Sequence, residues 1–184
     1  MTVRSLKGRL LVANPALPDP NFHRTVVLML SHGSEGALGV VINRPSELSL
    51  AGPLPVCEPL AAEPGVVFVG GPVEPGAAIC LAEVEGSSDD GERWQQVLGS
   101  VGTLDLSADE MMLRVQRLRV FAGYSGWGAG QLETELEAGA WFVADARPDD
   151  ALSSSPARLW REVLHRQGGW LAGLANFPED PSSN

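Results

Sequence analysis

The chain has 184 residues, 44% of them hydrophobic, enough to bury one core, and its apolar runs fall far short of the roughly 18 residues that a membrane-spanning helix needs. Its 23 acidic and 13 basic residues give a formal charge of −10, which opposes the counterion release that drives association with nucleic acid. Cys57 and Cys80, the only cysteines, lie outside any C-x-x-C pair or metal-ligand spacing with histidine, and read as reduced structural thiols.

The N-terminus has neither an apolar h-region nor a small-residue cleavage site, so the expectation is a cytoplasmic protein. One domain over residues 1–184 is expected, with 176–184 as a surface tail. In chain order, "GRLLVA" reads as a strand and "NPALPDPNF" as a proline-rich loop, because three prolines prevent a regular ladder. "TVVLMLSH" and "LGVVINR" follow as two strands of a hairpin closed by "GSEGA". Pro45 ends the second strand, and "LSLAGPLPVCEPL" reads as a short turn plus loop.

"GVVFVGG" is a continuous apolar run stopped by Gly70, Gly71 and Pro72, which predicts a central strand buried on both faces, with "AAICLAEV" beside it. Residues 86–93 read as a solvent loop and "SVGTLDLS" as a strand. Ser107 and Glu110 suggest a capping box for the short helix "ADEMML". In "QRLRVFAGY" strand alternation places Arg117 and Arg119 on one solvent face.

Leu132 and Leu136 then share one face of a short helix that Gly139 stops, and "AWFVADA" forms another strand. Ser155 as N-cap and Pro156 at the first helical position open "ARLWREVLHRQ", with Leu159, Trp160, Val163 and Leu164 as its apolar stripe. Interleaved strands and helices without βαβ periodicity indicate a mixed α/β or α+β domain.

The stretch "GYSGWGAGQLE" raises the possibility of a nucleophilic serine, since Ser125, Asp145 or Asp149, and His165 stand in the chain order of an α/β-hydrolase triad. The elbow G-x-S-x-G needs a residue without Cβ two places after the serine, and Trp127 occupies that place. His165 lies inside an amphipathic helix. The segment therefore reads as a tight glycine turn from which Tyr124 and Trp127 fold into the core, each with a polar edge that needs a partner. No catalytic residue is assigned. His23 and His32 lack a third ligand at suitable spacing, so no metal and no cofactor are assigned either.

"GRLLVANPALPDPNFHRTVVLMLSHGSEGALGVVINRP", "VGGPV", "GYSGWGAGQLETEL" with a following tryptophan, and the closing "DPSSN" together resemble the AlgH/YqgE family of bacterial proteins, in order along nearly the whole chain. That resemblance implies a mixed α/β domain whose bifurcated sheet includes a small β-barrel surrounded by helices. It implies no particular chemistry. Some members carry a transcriptional-regulator label that rests on genetics more than on a visible DNA-binding motif. The family turn usually reads Gly-Tyr-Ala-Gly-Trp, so a serine nucleophile at position 125 would not be a family property. Relatives also often carry a histidine where this chain has "CLAEV".

"GGPV", "NRP" and "GYSGW" each follow an apolar strand, and three backbone-exposing turns at one side of a sheet would form a crevice. Gly70, Gly71, Gly123, Tyr124 and Gly126 would supply its backbone donors, and Arg24, Asn43 and Arg44 its side-chain donors, a set suited to a small polar or anionic ligand. The competing expectation is that Arg24 and Arg44 pair internally, for instance with Asp19 or Glu133. The leading functional reading is a non-catalytic binding or regulatory protein with a protein partner or a small polar or anionic ligand. The alternative is an enzyme acting on an anionic or ester substrate, and direct DNA binding ranks last.

Overall fold

The computed structural model describes residues 4–86 and 92–179. Among these, ten strands and five helices follow one another: β1 Leu10–Ala13, β2 Val26–Gly33, β3 Gly36–Val41, β4 Pro45–Ser49, β5 Val66–Val69, β6 Val73–Val84, β7 Trp94–Leu98, β8 Val101–Leu104, α1 Asp109–Met112, β9 Val115–Gly128, α2 Gln131–Glu137, β10 Trp141–Ala144, α3 Pro148–Ala151, α4 Pro156–Gln167 and α5 Gly169–Leu174. A single 3-10 turn covers Glu58–Leu60. Among the described residues no helix is long and apolar enough to cross a membrane.

The architecture is mixed α+β around one large, mostly antiparallel sheet in the order β10-β1-β2-β3-β9-β6-β8-β7. Strand β9 organises it. Residues up to Tyr124 pair with β6, Phe121 and Ala122 pair in parallel with β5, and Ser125 to Gly128 pair with β3. The sheet therefore forks at β9, and β4 joins only through β5. The barrel implied by the family resemblance is not formed. Closure requires the two end strands to pair, and here β10 pairs only with β1 and β7 only with β8.

Two other expectations are corrected by β9. "GVVFVGG" supplies β5, a short side branch with Val69 exposed, and "AAICLAEV" lies across β9 from it rather than beside it. "GYSGWG" is not a turn but the last part of β9, hydrogen-bonded to β3. The turn comes later, where Gly130 adopts φ 73 immediately before α2.

Glycine makes the fork possible. Gly123, at φ 72, lies just before β9 turns from β6 to β3. A Cβ on Gly70 would stand 2.4 Å from the Gly123 carbonyl oxygen, and one on Gly71 only 2.2 Å from the Tyr124 carbonyl. Those distances are far below van der Waals contact, so "GGPV" and "GYSG" can meet only without side chains.

The core lies on both faces of β1 and β2. Leu10, Val12, Val26, Leu28 and Leu30 face one cluster with Leu159, Trp160, Val163 and Leu164, so the apolar stripe of α4 is buried as expected. Leu11, Ala13, Val27 and Met29 alternate onto the other face with Trp127, Leu132 and Trp141. Strands clamped this way carry no polar alternation, and each fully buried leucine or valine contributes about 1.5–3 kcal/mol. A third cluster around Trp94, Leu104, Met111 and Leu118 fills the β6–β9 end.

The caps differ from expectation in chemistry more than in place. Ser155 is the N-cap of α4 and Gly139, at φ 77, follows α2, but the Ser155 side chain makes no capping bond. Ser107 does not cap α1, because its hydroxyl donates to Asp105 instead.

Candidate functional site

The side-chain donors expected to hold a ligand are engaged within the chain. Asn43 accepts from the Val26 N–H at 3.0 Å and donates to the Arg24 carbonyl at 2.9 Å, tying the end of β3 to the start of β2. Arg44 donates to the carbonyls of Pro20, Asn21 and His23 and so pins the proline-rich loop. Arg24 donates to the Phe177 carbonyl, lies 4.7 Å over the Trp160 ring, and has Glu179 at 4.0 Å. Its partners are thus neither Asp19 nor Glu133. Desolvation lowers the pKa of both guanidinium groups.

The glycines are used for packing. Gly70 accepts from the Val41 N–H and the Ser125 hydroxyl while donating to Ala122, and Gly71 lies against Tyr124 and Ser125. Backbone links the two groups of residues, since the Val69 N–H donates to the Arg44 carbonyl. Arg44 nevertheless opens with Pro20 and His23 onto one concavity, while Gly126 lines another.

Ser125 is fully buried and its Oγ donates to the Gly70 carbonyl at 3.1 Å, whereas His165 is exposed on α4. His32 is a buried tether: the Leu6 N–H donates to Nδ1, so Nε2 carries the proton and donates to Glu133 Oε1 at 2.7 Å. That bond holds the Glu133 carboxyl below its ordinary range. Cys57 and Cys80 are free and buried, and burial pushes both thiols up, which keeps them protonated and unreactive.

Arg119 departs most from the sequence reading. Expected on a solvent face, it is 1% exposed, because β9 is covered on both faces. Its guanidinium donates to the carbonyls of Ala151, Ser153, Ala62 and Glu63 and stacks 4.1 Å from the Phe68 ring, with no carboxylate among these partners. Burial, reinforced by the charge of Arg117, lowers its pKa to about 10. Beside it lies a polar cleft of 470 Å³ in which Arg117 pairs with Glu83 and Asp149, and Arg166 with Asp150. Those guanidinium groups are already neutralised.

A different concavity draws together residues from four separate segments. It holds 220 Å³ between the proline-rich loop, the end of β9, α2 and the start of β10. Phe22, Trp127 and Trp141 form its aromatic walls: Phe22 meets Trp141 at 5.3 Å and 76°, and Trp127 meets Trp141 at 6.1 Å and 79°. Glu135 sits among them. Its Oε2 accepts from both indole N–H groups, at 2.8 Å from Trp127 and 2.9 Å from Trp141, and Oε1 accepts from Gln131 at 3.2 Å.

Local structure explains why these groups converge. Gln131 accepts from the Gly128 N–H, which fixes the turn into α2, and one helical turn later Glu135 projects beside it on the same face. Asp19 completes the rim from the loop, where it accepts from the Asn21 N–H. Of the eight residues singled out from the sequence, only Gly126 lines this concavity. The need of Trp127 for a hydrogen-bond partner was readable; that Glu135 would meet it while also accepting from Trp141 was not, because the junction depends on β10 returning beside β1.

Residues 10–172 match a family model described as AlgH-like. A UPF0301 protein of Streptomyces coelicolor is 54% identical over 99% of this chain and 97% of its own length, and one of Thermobifida fusca is 43% identical over 98% and 96%. The crystal structure of protein DIP2367 from Corynebacterium diphtheriae has a TM-score of 0.86 at 28% identity, covering 92% of this chain and 91% of that one. The solution structure of the AlgH protein from Pseudomonas aeruginosa has a TM-score of 0.69 at 30% identity, covering 97% of each chain.

Proposed function

This chain belongs to the AlgH-like family, and from that premise we propose that it is a non-catalytic binding protein whose ligand seats in the aromatic concavity beside α2. The observation that carries the reading is the convergence of Trp127 and Trp141 on one carboxylate, both indole rings oriented by bonds to it and Phe22 packed against the second. Aromatic walls with a few fixed polar groups are the usual composition of small-molecule sites. Leu17, Asp19 and Phe22 from the first stretch that carries the family resemblance, and Gly126, Trp127, Gln131, Glu135 and Trp141 from "GYSGWGAGQLETEL" and its following tryptophan, build it together.

Hydrolysis through Ser125 finds no support, because the hydroxyl is sealed in the sheet and already donates to a carbonyl. Direct DNA binding is opposed by the charge of −10. The test is a panel of anionic, neutral and cationic small molecules, followed by tryptophan emission and thermal shift in wild type and in a Phe22→Ala/Gln131→Ala variant. One class is expected to change the emission of wild type and not of the variant. If the folded protein responds to no class, or the variant responds equally, the reading is overturned.

A further inference from the structure

Resting on the binding reading above, we propose that the concavity takes the alkylated ammonium group of a small organic cation. The charge at the site has one sign. Asp19 and Glu135 line it, and no lining residue is basic. The partners of the Glu135 carboxylate are all neutral donors, two indoles and an amide, so its full charge remains to be met. Arg44, whose guanidinium interacts with the Asp19 charge, opens onto the separate concavity beside Pro20 and His23.

The walls select the same chemistry. Aromatic faces carry negative potential, and a cation within about 6 Å of several ring centroids is held by their summed quadrupoles. Rings set at 76° and 79° to one another wall a corner instead of stacking. Methylated ammonium groups suit such a corner, since their positive charge is spread over an apolar surface that loses little by leaving water. An anion would face two carboxylates, and a neutral polar molecule would leave the Glu135 charge unmatched.

Size restricts the ligand further. At 220 Å³ the space is smaller than the roughly 300–1,000 Å³ of sites that enclose a drug-sized molecule, so it accommodates a headgroup and not a nucleotide. Arrival is favoured as well, because a protein of net charge −10 attracts cations over a Debye length of about 8–10 Å.

The probes are tetramethylammonium, choline and the neutral isostere of choline, 3,3-dimethylbutanol, titrated against the intact protein by tryptophan emission and calorimetry. Tetramethylammonium and choline are expected to bind, with the isostere weaker by at least about tenfold. Glu135→Gln keeps an acceptor for both indoles while removing the charge, and should weaken choline by about tenfold or more. Asp19→Asn, on the half-buried loop, should weaken it less and serves if the first variant folds poorly. A peptide carrying trimethyllysine that binds more tightly than choline by about tenfold would overturn the small-molecule assignment in favour of a modified protein. Equal binding of choline and its isostere, or an anion from the panel binding where choline does not, would overturn the cation while leaving the binding reading intact. Silence from every class defeats both.

Discussion

Replacing Glu135 by alanine removes the acceptor of two buried indole N–H groups, on Trp127 at 7% and Trp141 at 3% exposure. An unsatisfied buried donor costs about 1–3 kcal/mol, and two would cost about 2–6. The concavity is open to water on one side, which offsets part of that loss and brings the expected destabilisation to about 2–4 kcal/mol. Glu135→Gln retains a carbonyl oxygen at the same place and should stay within about 1 kcal/mol of wild type. For a chain of this length each kcal/mol shifts Tm by about 2–4 °C, so calorimetry should separate the two variants by at least about 2 °C. Near-UV circular dichroism should show the indole environment altered in the alanine variant alone. If both variants melt with wild type, Glu135 does not hold the aromatic walls, and the description of the site is wrong.

Other expectations follow from neighbouring residues. Arg119→Met keeps the packing against Phe68 but strands four carbonyls, and chemical denaturation should register a loss of about 3–5 kcal/mol; no loss would mean that burying the charge costs as much as its bonds return. Ser125→Ala should leave esterase background unchanged and shift stability by no more than about 1–2 kcal/mol, since one bond to Gly70 is lost; an activity abolished by it alone would restore the nucleophile. The lowered pKa of Glu133 means that its bond to His32 stabilises the fold above the ordinary glutamate value of 4.5 and is lost as pH falls through the lower folded value. Tm against pH should therefore fall less steeply below 4.5 in Glu133→Gln than in wild type.

Local signals in the sequence were reliable where a single element decides the outcome. The stripe of α4, the hairpin of β2 and β3 and the glycine after α2 all depend on nearest neighbours and periodicity, and all are present. Strand β9 was only half legible, because glycine is a turn signal unless a neighbouring strand claims it, and here Gly36–Gly39 of β3 pair with Ser125–Gly128. The same strand hid Arg119, whose alternation suggested solvent while the sheet covered both faces. Residues 87–91, at the centre of the expected solvent loop, lie outside the described residues.

The expected site failed for a related reason. Arg24, Asn43, Arg44 and the paired glycines do lie at strand ends, but donors at strand ends are as useful for binding backbone as for binding a ligand. Close packing of the glycine segments and capture of the arginines by carbonyls are tertiary events. The aromatic concavity needs four segments, from Asp19 to Trp141, and chain distance gives no indication that an indole fourteen residues after Trp127 shares its carboxylate.

The central claim is tested most directly by the indole N–H resonances of the five tryptophans during titration with tetramethylammonium. Trp127 and Trp141 should shift together and saturate, while Trp94 and Trp160, whose N–H groups donate to the carbonyls of Ala82 and Ala13 in the interior, should stay in place. Saturable shifts at those interior indoles or at the exposed Trp170, with Trp127 and Trp141 unmoved, would contradict the assignment of the site.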